Sequence, residues 1–189
     1  MCIVTRFAAF CNYMASVAKS GESGHDAHTS RVQDESLLAK VLTVSDGVVE
    51  GVREDRSGEA LVATLASYDY DVVEHRVVAD GVDSVADSLS EMSNGFAGLI
   101  ITTGGTGFTE RDLTPEGTRQ VLERSAPGIA EAMRLTNPLG RLSRGVAGIV
   151  GKSIILNTPG STAGCVECFE AVADVIPHAL RLLHGERLH

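Results

Sequence analysis

The sequence predicts an α/β protein with a mostly parallel sheet and helices on both of its faces. Short apolar runs rich in β-branched residues alternate with segments of helical periodicity along residues 40–183. Parallel strands need a long crossover connection, usually a helix packed on the sheet, so this alternation is typical of such folds. The 189 residues, 43% of them hydrophobic, suffice for one core and predict a single folded domain.

Five segments carry the pattern expected of buried strands. The third is apolar along most of its length and is expected at the centre of the sheet. The last two flank Gly151-Lys152, which predicts a tight turn between them. The predicted strands are residues 40–45, 71–78, 97–103, 147–150 and 153–156.

Apolar residues with helical spacing occupy the segments between the strands. Thr114 and Pro115 form a helix-start signature, with threonine at the N-cap and proline at the first helical position. Pro177 is expected to bend or break the last helix. The predicted helices are residues 55–68, 83–92, 114–124, 128–135 and 162–183, and residues 46–53 are predicted to form a polar loop.

The first part of the chain differs from the rest. Residues 1–38 are predicted to be a disordered or non-native leader, and residues 39–189 a folded domain. The short apolar stretch at residues 7–18 fits a signal peptide poorly, because its charged flank is minimal and Asn12 interrupts it. The favoured interpretations are an unstructured leader, or residues upstream of a true start at Met14.

Composition argues against several functional classes. The 16 Lys and Arg against 25 Asp and Glu give a net charge of −9, which disfavours a general nucleic-acid binder. No apolar run approaches the roughly 18–20 residues of a membrane-spanning helix, so no membrane partner is expected. Cys165 and Cys168 form one CxxC pair, and a structural zinc site needs four ligands, so they are interpreted as packed neighbours on a helix. We expect a cytoplasmic protein.

The topology predicts where a ligand would bind. In parallel sheets the site lies beyond the carboxyl ends of the strands. All the segments at those ends carry small or polar residues, and two of them carry carboxylates. The segments are Ser45-Asp46, Ala79-Asp80, Thr102–Gly107 and Asn157–Gly160.

The strongest local signal is the run Thr-Thr-Gly-Gly-Thr-Gly at residues 102–107. Three glycines in four positions let the backbone turn sharply and present N–H groups that can form an anion site. The run matches neither a Walker A loop nor the dinucleotide-binding spacing. A glycine-rich turn without a ligand is the alternative.

Carboxylates near this loop suggest a bound cation. Asp112 precedes a predicted helix N-terminus, where anions are favoured, and a carboxylate beside a phosphate is costly unless a cation bridges them. Mg²⁺ takes carboxylate and phosphate oxygens together, and Asp80 follows the second strand. Helix capping by Asp112 and a turn role for Asp80 are the alternatives. Arg144 could hold a phosphate, with a surface ion pair as its alternative.

These motifs resemble the molybdopterin adenylyltransferase (MogA/MoaB) family and the related G domains of gephyrin-type proteins. The resemblance covers residues 40 to about 185, and its most specific part is Gly104-Gly-Thr-Gly107 followed by Arg111-Asp112 and Thr114-Pro-Glu116. Further matching segments are Val44–Asp46, Asp55–Leu61, Val78–Asp80, Pro127-Gly128, Ala132–Arg134, Leu142–Arg144, Ala147-Gly148 and Ile155–Gly160.

The resemblance implies a three-layer α/β/α fold, trimeric or hexameric, that binds molybdopterin and Mg·ATP. It implies transfer of AMP from ATP to the terminal phosphate of molybdopterin with release of pyrophosphate, and a molybdenum insertase as a possible partner. Asp80 and Asp112 match the family's essential acidic residues and are the expected catalytic and Mg²⁺-binding residues. The expected substrate- and nucleotide-binding residues are Ser45, Asp46, Thr103, Gly104, Gly105, Thr106, Gly107, Arg111, Thr114, Glu116, Ser143, Arg144, Asn157, Pro159, Gly160 and Ser161.

Two other functions are compatible with this resemblance. One is a non-catalytic carrier or scaffold that binds molybdopterin, and the other is a related domain, as in competence-damage-type proteins or the insertase, acting on another nucleotide or pterin. The presence of Asp80 and Asp112 favours the enzyme. One departure from the family's usual Pro-Gly-x-Pro-x-Ala is the segment Pro159–Gly164, which lacks the second proline and should alter the shape of the pocket.

Overall fold

The computed structural model describes residues 37–186, which form a six-stranded mixed sheet. The strand order is β2-β1-β3-β6-β5-β4, in which the first four strands are parallel and the last two pairings are antiparallel. The strands are β1 (Leu37–Val44), β2 (Tyr70–Val78), β3 (Leu99–Thr103), β4 (Arg124–Ser125), β5 (Ala147–Val150) and β6 (Ser153–Thr158).

Seven α-helices and one 3₁₀ helix accompany these strands in the described part of the chain. The helices are α1 (Asp46–Val49), α2 (Arg56–Ser67), α3 (Val82–Ser93), α4 (Thr114–Val121), α5 (Pro127–Leu135), α6 (Thr162–Glu170) and α7 (Ile176–Leu183), with the 3₁₀ helix at Pro138–Leu142. All five predicted strands and all five predicted helical regions are confirmed, with differences at their ends.

Two apolar cores, one on each face of the sheet, confirm the three-layer α/β/α arrangement. On one face, Phe169 of α6 and Leu61 of α2 pack with odd-numbered residues of β1 and β3. On the other face, Leu89 of α3 packs with Leu42 and Ile100. Successive strand residues point to opposite faces, so fully buried runs such as β3 serve both cores.

The structure corrects several predicted boundaries. The helix predicted to reach Arg124 ends at Val121, because Arg124 and Ser125 pair with β5 as a short edge strand. The final helical region is interrupted at residues 171–175, and Pro177 lies in the first turn of α7, where a missing N–H costs little. The predicted loop after β1 contains the short helix α1.

The predicted leader lies mostly outside the described residues, and β1 begins at Leu37. Cys165 and Cys168 are buried, unpaired cysteines in α6, as expected of packed helix neighbours. Burial raises the pKa of each thiol to about 11. In residues 37–186 no helix is long and apolar enough to cross a membrane.

Candidate functional site

The carboxyl ends of the parallel strands meet at a polar cleft of about 840 Å³. The predicted segments after β1, β2, β3 and β6 all reach it, because parallel neighbours end at the same edge of the sheet. The predicted site residues that line this cleft are Ser45, Asp80, Thr103, Gly104, Gly105, Thr106, Asp112, Gly160 and Ser161.

The glycine-rich loop after β3 is held in a conformation that only glycine adopts readily. Gly104 and Gly105 have φ values of +99° and +61°. A Cβ at Gly104 would overlap the carbonyl oxygen of Val44, and one at Gly105 would overlap Thr114 Oγ1. Thr114 donates from its hydroxyl to Gly104 O (2.9 Å) and from its N–H to Gly105 O (3.0 Å). The start of α4 therefore fixes the loop.

This fixed loop leaves backbone donors free. Within the described residues, the N–H groups of Gly105 and Thr106 donate no hydrogen bond. Both residues line the cleft. Successive N–H groups of this kind form an anion-binding concavity, which is the arrangement expected of a phosphate cradle.

Asp80 is held in the cleft by a reciprocal pair of hydrogen bonds with Asp46. Asp46 N–H donates to Asp80 Oδ2 (2.8 Å), and Asp80 N–H donates to Asp46 Oδ1 (3.0 Å). Arg111 Nη2 donates to Asp46 Oδ2 and to the carbonyl oxygen of Asp80, each at 2.7 Å. The hydrogen bond and charge of Arg111 outweigh desolvation and keep the pKa of Asp46 below its usual value. Asp46 and Arg111 were predicted to bind substrate. In the structure their side chains form hydrogen bonds with one another and with the backbone of Asp80.

Asp112 closes the far end of the glycine-rich loop. Its Oδ2 accepts from the Thr109 N–H at 2.7 Å. Burial raises the pKa of Asp112, but hydrogen bonds from Thr109 and from the Gly107 backbone, with the charge of Arg144, bring it below its usual value. The side chain is therefore a carboxylate at neutral pH.

Arg144 supports the same loop from behind. Its Nε donates to Gly107 O (2.7 Å), its Nη1 to Glu116 Oε1 (2.7 Å), and its Nη2 to the carbonyl oxygen of Asp112. Its own N–H donates to Thr106 O (2.9 Å). Three predicted ligands, Thr114, Glu116 and Arg144, thus shape the loop and lie outside the walls of either cavity.

A second cavity of about 310 Å³ adjoins the cleft. Ala130, Met133, Leu139 and Leu142 make much of its wall apolar. Thr106 and Ser161 line both cavities, so the two share a boundary beside the glycine-rich loop. The predicted site residues on its wall are Thr106, Gly107, Ser143, Asn157, Pro159 and Ser161.

Asn157 shows how the second cavity is supported. Its side chain is buried, and its Nδ2 donates to Thr102 Oγ1 (3.1 Å) and Thr118 Oγ1 (3.0 Å). Its Oδ1 accepts from the Val146 N–H at 3.2 Å. With its amide engaged on both sides, Asn157 joins β6, β3 and α4 and keeps the floor of the cavity in place.

Further charged residues, which were not assigned to the site from the sequence, also line these cavities. Arg53 and Asp55 line the larger cleft, and Arg134 and Glu167 line the smaller cavity. Asp55 is the N-cap of α2, and its Oδ2 accepts from Thr43 Oγ1 at 2.6 Å. A usable signal was Asp55 itself, which begins the predicted helix 55–68 and is a residue type favoured at the N-cap.

The cleft can accept a divalent cation together with a phosphate. Asp80 Oδ1 has no hydrogen-bond partner among the described residues, and it stands 3.2 Å from where a Cβ of Gly105 would lie. In the same part of the chain no group of three or more His, Cys, Asp or Glu side chains could hold a metal alone. Two carboxylates suit Mg²⁺, which binds proteins through one or two carboxylates and takes other ligands from substrate phosphates and water.

Comparison with known proteins gives consistent matches. Residues 40–178 match the sequence model of a family described as a probable molybdopterin binding domain. The chain is 41% identical over 152 residues to the molybdopterin adenylyltransferase of Helicobacter pylori J99, covering 77% of this chain and 86% of that protein. It is 32% identical over 170 residues to the Escherichia coli K12 protein of the same name, covering 79% and 87%.

Solved structures of the same fold agree with these matches. The molybdopterin biosynthesis enzyme MoaB from Thermus thermophilus superimposes with a TM-score of 0.74 at 42% identity, covering 81% of this chain and 99% of that one. The molybdopterin biosynthesis Mog protein from Mycobacterium ulcerans superimposes with a TM-score of 0.73 at 36% identity, covering 78% and 99%.

Proposed function

The chain belongs to the molybdopterin-binding domain family of molybdenum cofactor biosynthesis, and from this we propose that it is a molybdopterin adenylyltransferase. It transfers AMP from ATP to the terminal phosphate of molybdopterin and releases pyrophosphate. One observation carries the proposal: a polar cleft and a more apolar cavity meet at Thr106 and Ser161, beside a loop with free N–H groups.

The two cavities differ in the chemistry that they offer. The larger cleft, with the N–H groups of Gly105 and Thr106, suits a polyphosphate. The smaller cavity suits a flat heterocycle, and its wall carries Glu167 and Arg134. A carboxylate can accept from the adjacent amino and ring N–H groups of a pterin, and a guanidinium can donate to its carbonyl oxygen. We therefore assign the pterin to the smaller cavity and the ATP phosphates to the cleft.

The proposed step is a direct displacement at phosphorus. An oxygen of the molybdopterin phosphate attacks the α-phosphorus of ATP, and the bond from that phosphorus to the oxygen bridging to the β-phosphate breaks. Pyrophosphate leaves with the electron pair. The free N–H groups of Gly105 and Thr106 bind the oxygens of the α-phosphate, and the chain contributes position and electrostatics without a protein nucleophile.

Asp80 and Asp112 are the proposed catalytic residues and the proposed holders of Mg²⁺. When bound, Mg²⁺ would supply positive charge against the phosphate oxygens. Asp46 and Arg111 keep Asp80 at the edge of the cleft, and the Thr109 N–H orients Asp112. The remaining ligands predicted from the sequence that line a cavity are proposed to contact substrate directly, except Asn157, which is proposed to hold the floor of the smaller cavity in place.

The test is AMP incorporation into molybdopterin by the purified protein with Mg²⁺ and α-labelled ATP. Asp112→Asn and Asp80→Asn should lose at least about 100-fold in AMP transfer, as expected when electrostatic support of a transition state is removed, and should still bind molybdopterin. Asp174→Asn, at an exposed position that lines neither cavity, is the matched control. Pterin binding by the wild-type chain without any transfer would contradict the enzyme and indicate the carrier or scaffold function, which no observation here favours.

The proposal extends to assembly and location. We propose a trimer or hexamer, which exposed apolar side chains of the described domain support: Phe108 and Leu135 line neither cavity and are each more than two-thirds exposed. A molybdenum insertase is the proposed partner that consumes the adenylated product. The proposed location is the cytoplasm, where ATP is available.

A further inference from the structure

Arg53 stands apart from the other charged residues of the larger cleft. The cleft wall carries two cations, Arg53 and Arg56, and four carboxylates. Arg56 is paired with Glu54, its Nη2 lying 3.0 Å from Glu54 Oε2. Arg53 has no ion pair and no side-chain hydrogen bond within residues 37–186. It is the one cation of the wall, in this described range, that has no ion-pair partner.

The backbone around α1 holds Arg53 near the catalytic carboxylates. Arg53 N–H donates to Gly47 O at 2.9 Å, and Val52 N–H donates to the same oxygen at 3.0 Å. A Cβ at Gly47 would lie 3.5 Å from Arg53 Cβ and 3.9 Å from its Nε, so the side chain packs over this glycine. Gly47 follows Asp46, whose N–H binds Asp80. Arg53 thus approaches the cleft from the side on which Asp80 stands.

The negative charge of the cleft favours a protein cation beside the phosphates of ATP. Glu54, Asp55, Asp80 and Asp112 line the cleft, and ATP would bring further negative charge. Asp80 and Asp112 would hold Mg²⁺, which would supply positive charge to the phosphates, and Arg53 is the cation of the wall without an ion-pair partner in residues 37–186. A guanidinium is suited to the phosphates because its planar array of donors binds phosphate oxygens in pairs.

We propose that Arg53 binds the β- and γ-phosphates of ATP and holds the pyrophosphate as it leaves. The inference rests on the proposed adenylyl transfer and adds the residue that recognises its leaving group. As the bond to the α-phosphorus breaks, negative charge grows on the departing bridging oxygen, and Arg53 offsets charge on the diphosphate that carries it. The proposal assigns Arg53 to these phosphates, and neither to the adenosine nor to the pterin.

The experiment compares inhibition by two products of ATP cleavage. Inorganic pyrophosphate and AMP are each titrated as inhibitors of AMP transfer by the wild-type chain, Arg53→Ala and Arg53→Lys. We expect Arg53→Ala to weaken inhibition by pyrophosphate about 10- to 100-fold, the loss of a charge-assisted contact, and to change inhibition by AMP less than about twofold. Arg53→Lys should recover part of the pyrophosphate affinity, since it keeps the charge without the planar fork.

Arg141→Ala is the matched control. Arg141 is also exposed, has no ion pair in the described domain, and lines neither cavity. The control removes the same charge and should leave both inhibition constants within about twofold of wild type. Thermal melting checks that all variants are folded, which is expected at exposed positions.

The outcomes separate this inference from the proposed function. If the wild-type chain transfers AMP and Arg53→Ala keeps wild-type inhibition by pyrophosphate, the role of Arg53 is overturned and the enzyme stands. Equal weakening of pyrophosphate and AMP inhibition would also overturn it, because AMP lacks the phosphates that Arg53 should bind. Failure of the wild-type chain to transfer AMP would overturn the proposed function itself.

Discussion

At the scale of single residues, Asp46 forms hydrogen bonds with three groups: the backbone N–H of Asp80, the carboxylate of Asp80 and the guanidinium of Arg111. Its two oxygens accept from Asp80 N–H and from Arg111, and its own N–H donates to Asp80 Oδ2. Asp46 is thereby a positioning residue for Asp80. Thr114, Arg144 and Asn157 act in the same way on the glycine-rich loop and the second cavity.

Substitution of Asp46 tests this positioning role. Asp46→Ala removes the acceptor for the Asp80 N–H and the partner of Arg111, so we expect kcat to fall about tenfold with little change in KM for molybdopterin. Asp46→Asn keeps an oxygen for the Asp80 N–H and should recover part of that loss. Equal loss in both variants, measured by steady-state kinetics, would show that the Asp46 charge itself acts on substrate.

The lowered pKa of Asp112 predicts a particular acid dependence of stability. A carboxyl group whose pKa is lower in the folded state contributes stability above its unfolded pKa, here 3.8, and loses it as pH falls through the folded value. The difference in melting temperature between wild type and Asp112→Asn should therefore be constant from pH 7 to about pH 5 and should shrink below pH 3.8. A difference that already shrinks between pH 7 and pH 5 would contradict the assignment.

At the scale of elements, the start of α2 is fitted against β1 and β2 through Gly58. Asp55 caps the helix by accepting from the Gly58 N–H at 2.9 Å. The same carboxylate accepts from Thr43 Oγ1 and lies 2.9 Å from His75 Nε2. Asp55 thus joins the helix N-terminus to both strands at the rim of the cleft. The close approach needs a residue without a Cβ, because a Cβ at Gly58 would overlap Thr43, Asp55 and His75 side-chain atoms.

Gly58→Ala should accordingly destabilise the protein by about 1–3 kcal/mol, the usual cost of overpacking. Gly128→Ala is the matched control, since Gly128 also lies in the first turn of a helix but has no atom within 4 Å of the position its Cβ would take. That variant should be neutral or more stable by up to about 1 kcal/mol. Urea unfolding measures both changes, and equal effects would refute the close-packing argument.

At the scale of the whole molecule, the alternation of strands and helices was readable because it repeats locally. Buried parallel strands require apolar runs and the helices between them require an apolar face, so each element carries its own signal. The edge strand β4 carried no such signal. Only two residues long and exposed, it exists because β5 offers an edge for Arg124 and Ser125 to pair with.

Some residues of the site could likewise be predicted from local sequence patterns, whereas the roles of others depend on contacts between distant parts of the chain. The glycine-rich run, Asp80 and Asp112 could be placed together from sequence, because strand ends of a parallel sheet share one edge. Arg53 could not be placed, since its approach to the cleft depends on the fold of the loop around α1. Likewise, Arg111, Glu116 and Arg144 could be recognised as part of the site but not as supports of the loop, because their partners are distant in the chain.

By itself the sequence determined the α/β class, the order of the elements, the edge that carries the site and the family. These depend on periodicity, on glycine and proline positions and on short motifs, all of which act over a few residues. Only the tertiary structure decided which polar side chains line a cavity and which hold other parts of the protein. That choice depends on hydrogen-bond partners up to 65 residues apart, such as Asp46 and Arg111, and these meet only when the sheet has formed.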